Sequence, residues 1–232
     1  MRSIESAVMA VLALVAAAAP AAAAVVINSG NAGYSFQVDY AGQVGGNAAP
    51  QVSALGTFTF NGVTNNGQTY NFSYSFLNDS TTTARLSGFA FNTNPNPTSA
   101  QVTGAFNNSY ITGNYPEGYG SVDVCFTDGG GSCAGGGSGG FYQNNTGTGT
   151  FALSFGQTMA SVTLDSFVTR FQSISGVSGG TSGIGIGSIV PGDGNPIAAP
   201  EPASWLMLIL GFGLVGSAMR HRGRTLAYRQ AA

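Results

Sequence analysis

The chain has no lysine, one histidine and one tryptophan, and only 7% of its 232 residues are charged. Between residues 25 and 199 the cations are Arg85 and Arg170 alone. The acids of this region give it a formal net charge of 2 − 7 = −5: Asp39, Asp79, Glu117, Asp123, Asp128, Asp165 and Asp193. Binding to nucleic acid needs a basic surface that contacts phosphates, so this composition excludes a nucleic-acid partner.

Groups that could carry out catalysis are equally scarce. The single histidine, His221, lies among arginines near the C-terminus, far in sequence from Cys125 and Cys133, whose thiols would need such a base for catalysis. The acids are scattered singly, whereas glycosidases use two carboxyl groups about 5–9.5 Å apart. We therefore expect a protein that is not an enzyme, and a glycan-active enzyme is the least favoured alternative.

The N-terminus has the parts of a secretory signal peptide. Arg2 precedes a hydrophobic run from Ala7 to Ala19, and the Ala-x-Ala sequence Ala22–Ala24 follows. This order is typical of a cleavable signal. We expect residues 1–24 to be removed by signal peptidase after export through the secretion machinery, with an uncleaved N-terminal anchor as the alternative.

Between residues 25 and 175 the sequence predicts an all-β ectodomain. Residues 34–40 and 70–76 alternate strictly between large apolar and small polar side chains, as strands with one buried face do. Turn-forming pairs such as Asn-Gly and Asp-Gly separate the segments. Further predicted strands cover residues 52–60, 84–91, 100–106, 121–126, 150–155 and 161–174. The pattern favours an antiparallel β-sandwich or jelly roll, with a barrel as the alternative.

Cys125 and Cys133 are the only cysteines. In an oxidising compartment two such cysteines pair, so we expect a structural disulfide around a glycine-rich loop. A closed zinc site needs four ligands, and no cofactor is expected. Calcium binds six to eight oxygens, which makes three nearby carboxylates weak candidates for its ligands: Glu117, Asp123 and Asp128.

A glycine- and proline-rich linker is predicted from residue 176 to residue 199. Its first part leaves two alternatives open. Gly183–Val190 is either a weak final strand, with isolated isoleucines at positions 184, 186 and 189, or part of the flexible spacer.

The C-terminal residues have a membrane-anchor pattern. Residues 203–219 contain no charge, and a helix of this length reaches the lower limit for crossing a bilayer. Trp205 lies at one end and an arginine cluster at the other, an arrangement that favours an external ectodomain and a cytoplasmic tail at residues 225–232. One interpretation of this pattern is an ordinary single-pass membrane anchor, which is kept as the alternative.

Residues 200–224 also resemble the PEP-CTERM sorting domain of Gram-negative bacteria in its PEPxxW form. The residues that carry the resemblance are Pro200, Glu201, Pro202, Trp205, Arg220, Arg222 and Arg224. The resemblance implies processing by an exosortase near Pro-Glu-Pro, an inner-membrane intermediate, and delivery to the cell surface or the extracellular space. It also implies a bacterium that makes exopolysaccharide.

Together these features predict a secreted protein with a structural or adhesive role in the extracellular matrix of an exopolysaccharide biofilm or floc. Contact with exopolysaccharide follows from the resemblance and not from the ectodomain residues. The alternative from another class is a lectin-like carbohydrate-binding module. Tyrosines 110, 115 and 119 could stack on sugars in such a module, although their spacing favours buried or edge packing.

Overall fold

Alternation of apolar and polar side chains drives the chain into antiparallel β-strands. The structure is a computed structural model that describes residues 24–135, 138–190, 197–198 and 212. The strands in this part of the chain are β1 (Ala24–Asn28), β2 (Ser35–Val44), β3 (Asn47–Thr64), β4 (Thr69–Leu77), β5 (Arg85–Asn94), β6 (Ser99–Gly104), β7 (Asn108–Tyr115), β8 (Gly120–Thr127), β9 (Phe141–Tyr142), β10 (Thr146–Ser154), β11 (Ser161–Gln172), β12 (Ser182–Val190) and β13 (Ile197–Ala198).

The strands form one continuous sheet that folds over on itself. Its order is β6-β10-β4-β3-β2-β12-β11-β5-β8-β7, with β9 beside β5 and β1 beside β11. The two end strands, β6 and β7, are consecutive in the chain, and the Ser109 hydroxyl donates a hydrogen bond of 2.7 Å to the Ala100 carbonyl. The fold is therefore sandwich-like, with strands β6, β10, β4, β3 and β2 in one half and β12, β11, β5, β8 and β7 in the other.

Aromatic side chains fill the space between the two halves. Phe89 on β5 lies at the centre, with ring centroids 4.8 Å from Phe76 and 5.8 Å from Phe58 in the opposite half. Phe151 on β10 meets Phe126 on β8 at 5.1 Å. Such rings bury large apolar areas and pack in tilted or edge-to-face pairs. The predicted all-β, antiparallel fold is confirmed.

The turn between β3 and β4 shows how local sequence ends a strand. Asn65, Asn66 and Gly67 have φ angles of 50°, 53° and 79°. Asparagine and glycine are the residues that adopt this left-handed region most readily. The chain therefore reverses at the Asn-Gly pair, and β4 returns beside β3.

Each segment predicted as a strand lies largely within one, but the sheet extends further than predicted. Ser182–Val190 forms β12, which pairs with β2 on one side and β11 on the other. Of the two alternatives for this segment, the structure shows the strand. The boundary placed at residue 175 is therefore corrected, because the linker predicted from residue 176 overlaps a strand inside the sheet.

The glycines of β12 have a packing role. Gly183, Gly185 and Gly187 alternate with Ile184, whose side chain lies on the opposite face. A Cβ atom built at Gly187 would lie 2.7 Å from Cβ of Phe167 and 2.8 Å from Cγ1 of Val38. Side chains of the neighbouring strands fill the space over β12, so only glycine fits there.

The chain meets the sheet again just before the sorting residues. In β13, Ile197 lies opposite Val25 of β1 and Ala198 lies opposite Ala24, in antiparallel register. Residues 191–196, which complete the predicted linker, lie outside the described residues. One compact unit spans residues 23–198.

Candidate functional site

One half of the sheet carries a straight row of hydroxyl side chains on its outer face. The row crosses five adjacent strands, β2, β3, β4, β10 and β6. Its directly opposed members are Ser35, Thr59, Ser73, Thr150 and Thr103. Because neighbouring strands lie about 4.7–4.9 Å apart, the row is about 19 Å long.

A second polar row runs parallel to the first, two residues further along the strands. Its opposed members are Gln37, Thr57, Ser75 and Thr148. The two rows are about 6.6–6.8 Å apart, which is the repeat of two residues in a strand. We call these nine residues the hydroxyl face. All nine side chains are exposed or half-buried, whereas the residues between them on each strand point into the core or are small.

A third row borders the hydroxyl face and is partly apolar. In it Asp39, Leu55, Leu77 and Thr146 lie opposite one another. Leu77 is 38% exposed. This outer surface therefore presents two rows of neutral hydrogen-bonding groups beside a short apolar strip. Asp39, at the end of the third row, is the one acid in the three rows.

Hydrogen bonds between strands hold the hydroxyl face in place. Thr103 and Thr150 share a bond of 2.9 Å, and the Thr59 hydroxyl donates to the Ser35 hydroxyl at 3.1 Å. Next to the first row lies a shallow, open depression of about 240 Å³, lined by Asn61, Asn71, Phe72, Gln101, Val102, Thr103, Thr150, Phe151 and Ala152. Its volume is below the roughly 300–1,000 Å³ of typical small-molecule pockets.

In the other half, the tip of the β7–β8 hairpin covers the outer face of β5, β11 and β12. Ala90 on β5 alternates with Phe89 and Phe91 of the core and therefore points outward. The hairpin packs over it in a second apolar cluster: Ala90, Tyr115, Val122, Cys125, Cys133, Val168 and Ile184. Of the two outer faces, the one with the hydroxyl rows is thus the more open to a partner.

Arg170 fastens this hairpin to the sheet. The side chain is only 9% exposed. Its Nη1 donates hydrogen bonds of 3.0 Å to the Gly183 carbonyl and 3.2 Å to the Glu117 carboxylate at the hairpin tip. Its Nε donates to the carbonyl of Ala134 in the cysteine loop. A buried guanidinium needs these partners to offset its lost hydration, so one side chain joins β11, β12, the hairpin and the loop.

The three tyrosines of this region have packing roles. Tyr115 is buried, and burial raises the pKa of its phenol well above the ordinary value. The Tyr119 hydroxyl donates a hydrogen bond of 2.7 Å to the Ser166 carbonyl, and burial also raises the pKa of this phenol. The Tyr110 hydroxyl accepts a hydrogen bond from the Gly131 amide. The Tyr115 and Tyr119 rings also pack against each other, with centroids 6.0 Å apart, which agrees with the buried or edge-packing roles that their spacing favours.

Cys125 and Cys133 form a disulfide in the structure, with Cα atoms 5.6 Å apart. Both residues are buried in the second cluster. Gly113 on β7 lies against the bridge, since a Cβ there would collide with Sγ of Cys133. The bridge thus ties the loop to β8 under the hairpin.

Replacing both cysteines by alanine should lower the free energy of unfolding by about 2–3 kcal/mol, the chain-entropy value for a loop this short. Chemical denaturation of the oxidised protein and the Cys125→Ala/Cys133→Ala variant measures the difference. Wild-type protein in reductant should match the variant, and the variant itself should not respond to reductant. Equal stability of all four samples would show that the bridge contributes nothing.

The three weak calcium candidates are each engaged elsewhere. Glu117 pairs with Arg170 and accepts a hydrogen bond from Ser182. Asp123 accepts hydrogen bonds from the Thr93 amide and the Asn96 side chain. Asp128 binds the Asn107 side chain and the Gly140 amide. Within the described ranges, no group of three acids, cysteines or histidines is placed to hold a metal ion.

The sorting residues Pro200, Glu201, Pro202, Trp205, Arg220, Arg222 and Arg224 lie outside the described residues. Residues 198–223 match a known family described as the PEP-CTERM protein-sorting motif. The chain carries a PEP-CTERM sorting motif. This motif indicates an exosortase-targeted extracellular protein that reaches the cell surface through a membrane intermediate.

The PEP-CTERM match covers residues 198–223. A search of curated proteins found no match for the chain. In the part of the chain that the structure describes, no helix is long and apolar enough to span a membrane. The predicted transmembrane segment at residues 203–219 falls outside that part except for Phe212, which is helical and exposed.

Proposed function

We propose that the processed protein is a non-enzymatic component of an exopolysaccharide-rich extracellular matrix, and that it contacts neutral polysaccharide through the hydroxyl face. The observation that carries this proposal is the row of five opposed hydroxyl residues from Ser35 to Thr103. The sorting motif directs the protein to the cell surface. The hydroxyl face offers a surface that fits the neutral polysaccharide proposed to be there.

The chemistry of the face complements a neutral sugar chain. Each serine or threonine hydroxyl can donate and accept a hydrogen bond, as can each sugar hydroxyl. The apolar strip of Leu55 and Leu77 can cover the C–H face of a sugar ring. No charged side chain belongs to the two rows, so binding does not require an ion to be stripped of water.

The repeat of the rows favours a polymer over a single small sugar. One hydrogen bond contributes only about 0.5–1.5 kcal/mol net. Contacts repeated along a chain combine through high effective concentration. A face about 19 Å long therefore suits several consecutive sugar units.

The absence of catalysis is part of the same proposal. Of the acids in the described domain, Asp79 accepts a hydrogen bond from Ser53, and Asp165 accepts one from Ser166. Glu117, Asp123 and Asp128 also accept hydrogen bonds. Most carboxylates of the described domain therefore stabilise turns and strands.

A lectin-like module is the second candidate, favoured by the depression beside the first row. Asn61, Asn71 and Gln101 there supply amide groups that could orient one sugar unit. This function predicts saturable binding to a single sugar class, whereas the matrix function predicts binding to extended neutral polymers.

Removing two hydroxyls from the first row should weaken polymer binding by about tenfold, since each contributes on the order of 1 kcal/mol or less. The measurement is co-sedimentation of the mature protein with the host's purified exopolysaccharide, with insoluble neutral glucan and anionic alginate as reference probes. The variant is Thr59→Ala/Thr150→Ala. Binding to the neutral polymers should change little between low and high salt, because no ion pairs are involved.

The matched control is Thr112→Ala, which removes an exposed threonine from β7 in the other half of the sheet. It should bind as the wild type does. Thermal unfolding of both variants checks that the fold is kept. Unchanged binding by the double variant would refute the hydroxyl face as the contact surface, and selective binding to one short glycan on an array would favour the lectin.

A further inference from the structure

A second depression lies where the β5–β6 and β10–β11 loops come together. Its volume is about 330 Å³, which lies within the roughly 300–1,000 Å³ of typical small-molecule pockets. We call it the loop pocket, and it is lined by Pro95, Asn96, Phe155, Gly156, Gln157 and Met159. It shares no lining residue with the depression beside the hydroxyl face, so the two surfaces can be tested separately.

Hydrogen bonds to the turn between β3 and β4 fix the wall formed by the β10–β11 loop. The Phe155 amide donates a hydrogen bond of 2.8 Å to the Gln68 carbonyl. The Met159 amide donates one of 3.1 Å to the Gly67 carbonyl. The Tyr70 hydroxyl donates one of 2.9 Å to the Met159 carbonyl, and the Tyr70 ring meets the Phe155 ring edge to face at 5.8 Å. This wall is therefore in place before a ligand binds, and such preorganisation lowers the cost of binding.

The wall formed by the β5–β6 loop is fixed to two strands. The Asn96 side chain donates a hydrogen bond of 2.9 Å from Nδ2 to the Asp123 carboxylate on β8. The amide and the hydroxyl of Thr98 both donate to the carbonyl of Ser154 on β10, at 2.7 and 3.1 Å. Because both walls are bonded to the sheet, the sheet sets the distance between them.

The loop pocket combines an apolar surface with two side-chain amides. Phe155 is only 5% exposed, and it supplies the apolar surface together with Pro95 and the half-buried Met159. The amides belong to Asn96 and Gln157, which are both exposed. In the described part of the chain, no hydrogen bond engages the Gln157 side chain or Oδ1 of Asn96. Gln157 can therefore donate to a ligand and accept from it, and Oδ1 of Asn96 can accept.

The charges around the loop pocket favour a neutral ligand. None of the six lining residues is charged, and the charged side chain bonded to one of them is an acid, Asp123. A carboxylate, sulfate or phosphate group in the pocket would be repelled by that acid and would find no cation among the lining residues. The ligand that fits is therefore neutral and carries a small apolar group beside hydrogen-bonding groups.

We propose that the loop pocket binds the acetamido group of a neutral N-acetylated sugar. Such a group has a methyl, a carbonyl oxygen that accepts and an N–H that donates. The Phe155 and Met159 side chains cover the methyl. The Gln157 side chain donates to the acetamido carbonyl, and Oδ1 of Asn96 accepts from the acetamido N–H. The site is separate from the hydroxyl face and does not depend on polysaccharide binding there.

Calorimetric titration and saturation-transfer NMR of the processed protein, secreted by its host, test the site. The probe is N-acetylglucosamine, and glucose is the unacetylated comparison. N-acetylglucosamine should bind saturably and at least tenfold more tightly than glucose, because one apolar group in a fitted pocket discriminates by about 10–200-fold. Its acetyl methyl protons should receive the largest saturation transfer. Equal affinity for the two sugars, or no saturable binding of N-acetylglucosamine, would overturn the proposal.

A matched pair of variants tests the role of Gln157. Gln157→Met removes the amide but keeps the length of the side chain, and it should weaken binding of N-acetylglucosamine by about tenfold, near the upper value for one hydrogen bond. Gln51→Met is the control, because Gln51 is an exposed glutamine on β3 that lines neither depression. It should bind as the wild type does. Thermal unfolding checks that both variants keep the fold, and equal affinity of two folded variants would overturn the assignment.

The trimer of N-acetylglucosamine identifies the source of the ligand. Binding of the trimer about tenfold tighter than the single sugar would indicate an N-acetylated polymer, whereas equal affinity would indicate a free sugar or a chain end. Both results support acetamido recognition, and a trimer that does not compete with the single sugar would contradict it. Co-sedimentation with neutral glucan is a separate measurement, so its failure would leave the result for the loop pocket intact.

Discussion

Replacing Phe89 by alanine should lower the free energy of unfolding by about 4–5 kcal/mol, at the upper end for loss of a buried ring. Phe89 is fully buried, and its ring lies within 4.8–6.2 Å of seven others: Phe58, Tyr74, Phe76, Phe91, Phe106, Phe126 and Phe151. Few of these rings can move inward, because each is held on a strand of the closed-over sheet. The cavity would remain largely open, and dispersion contacts on all sides would be lost.

Urea denaturation of the mature protein gives this difference directly. Phe89→Leu keeps most of the volume and should lose less than half as much. Tyr142→Ala provides the aromatic control, because that ring is 47% exposed and its loss should cost within about 0.5 kcal/mol. A Phe89→Ala loss no larger than that of Tyr142→Ala would mean that the core relaxes around the missing ring.

Strict alternation made part of the fold predictable from sequence. In β4, Tyr70, Phe72, Tyr74 and Phe76 point inward and the residues between them point outward, as the pattern predicts. Aromatic residues at every second position leave only one orientation of the strand that hides them from water. The all-β class, the antiparallel sheet and these inward rings follow from that constraint.

Among the strands that the sequence did not predict or left open, β7 and β12 have positions that depend on their neighbours. β12 places glycines on its inner face, and the side chains that require them come from strands β2 and β11. β7 lacks alternation, since Ile111 and Thr112 are both exposed, and it is a strand because β8 pairs with it. In both cases contacts with residues distant in sequence determine that the segment is a strand, and these contacts cannot be predicted from the local sequence pattern.

For the candidate surface, the sequence predicts the type of residue but not how these residues are aligned across the strands. Small polar residues on the outward positions of β2 and β4 follow from the same alternation that buries the rings. That Ser35, Thr59, Ser73, Thr150 and Thr103 form one row follows from the register of five strands. Register over such distances is set by turns and bulges, such as the shift between Phe60 and Gly62. The disulfide, in contrast, could be predicted from the sequence alone, because the chain has only two cysteines and carries export signals.

A further large effect is expected at Gly187, in the segment for which the sequence left a strand and a flexible spacer as alternatives. Gly187→Val should destabilise the domain by about 3 kcal/mol, the upper part of the range for overpacked cores. Its Cβ would lie 2.8 Å from the carbonyl oxygen of Phe167 and 2.8 Å from Cγ1 of Val38. The oxygen belongs to the backbone of β11, so relief requires β11 and β12 to move apart.

Differential scanning calorimetry should show this loss as a fall in Tm of about 6–12 °C, since 1 kcal/mol corresponds to about 2–4 °C in a domain of this size. Gly30→Val is the matched control, because a Cβ at Gly30 meets no atom within 4 Å. A flexible spacer at residues 182–190 would give the same Tm for both variants. If residues 182–190 form a strand inside the sheet, Gly187→Val should have a lower Tm than Gly30→Val, because side chains of β2 and β11 already fill the space on the inner face of β12.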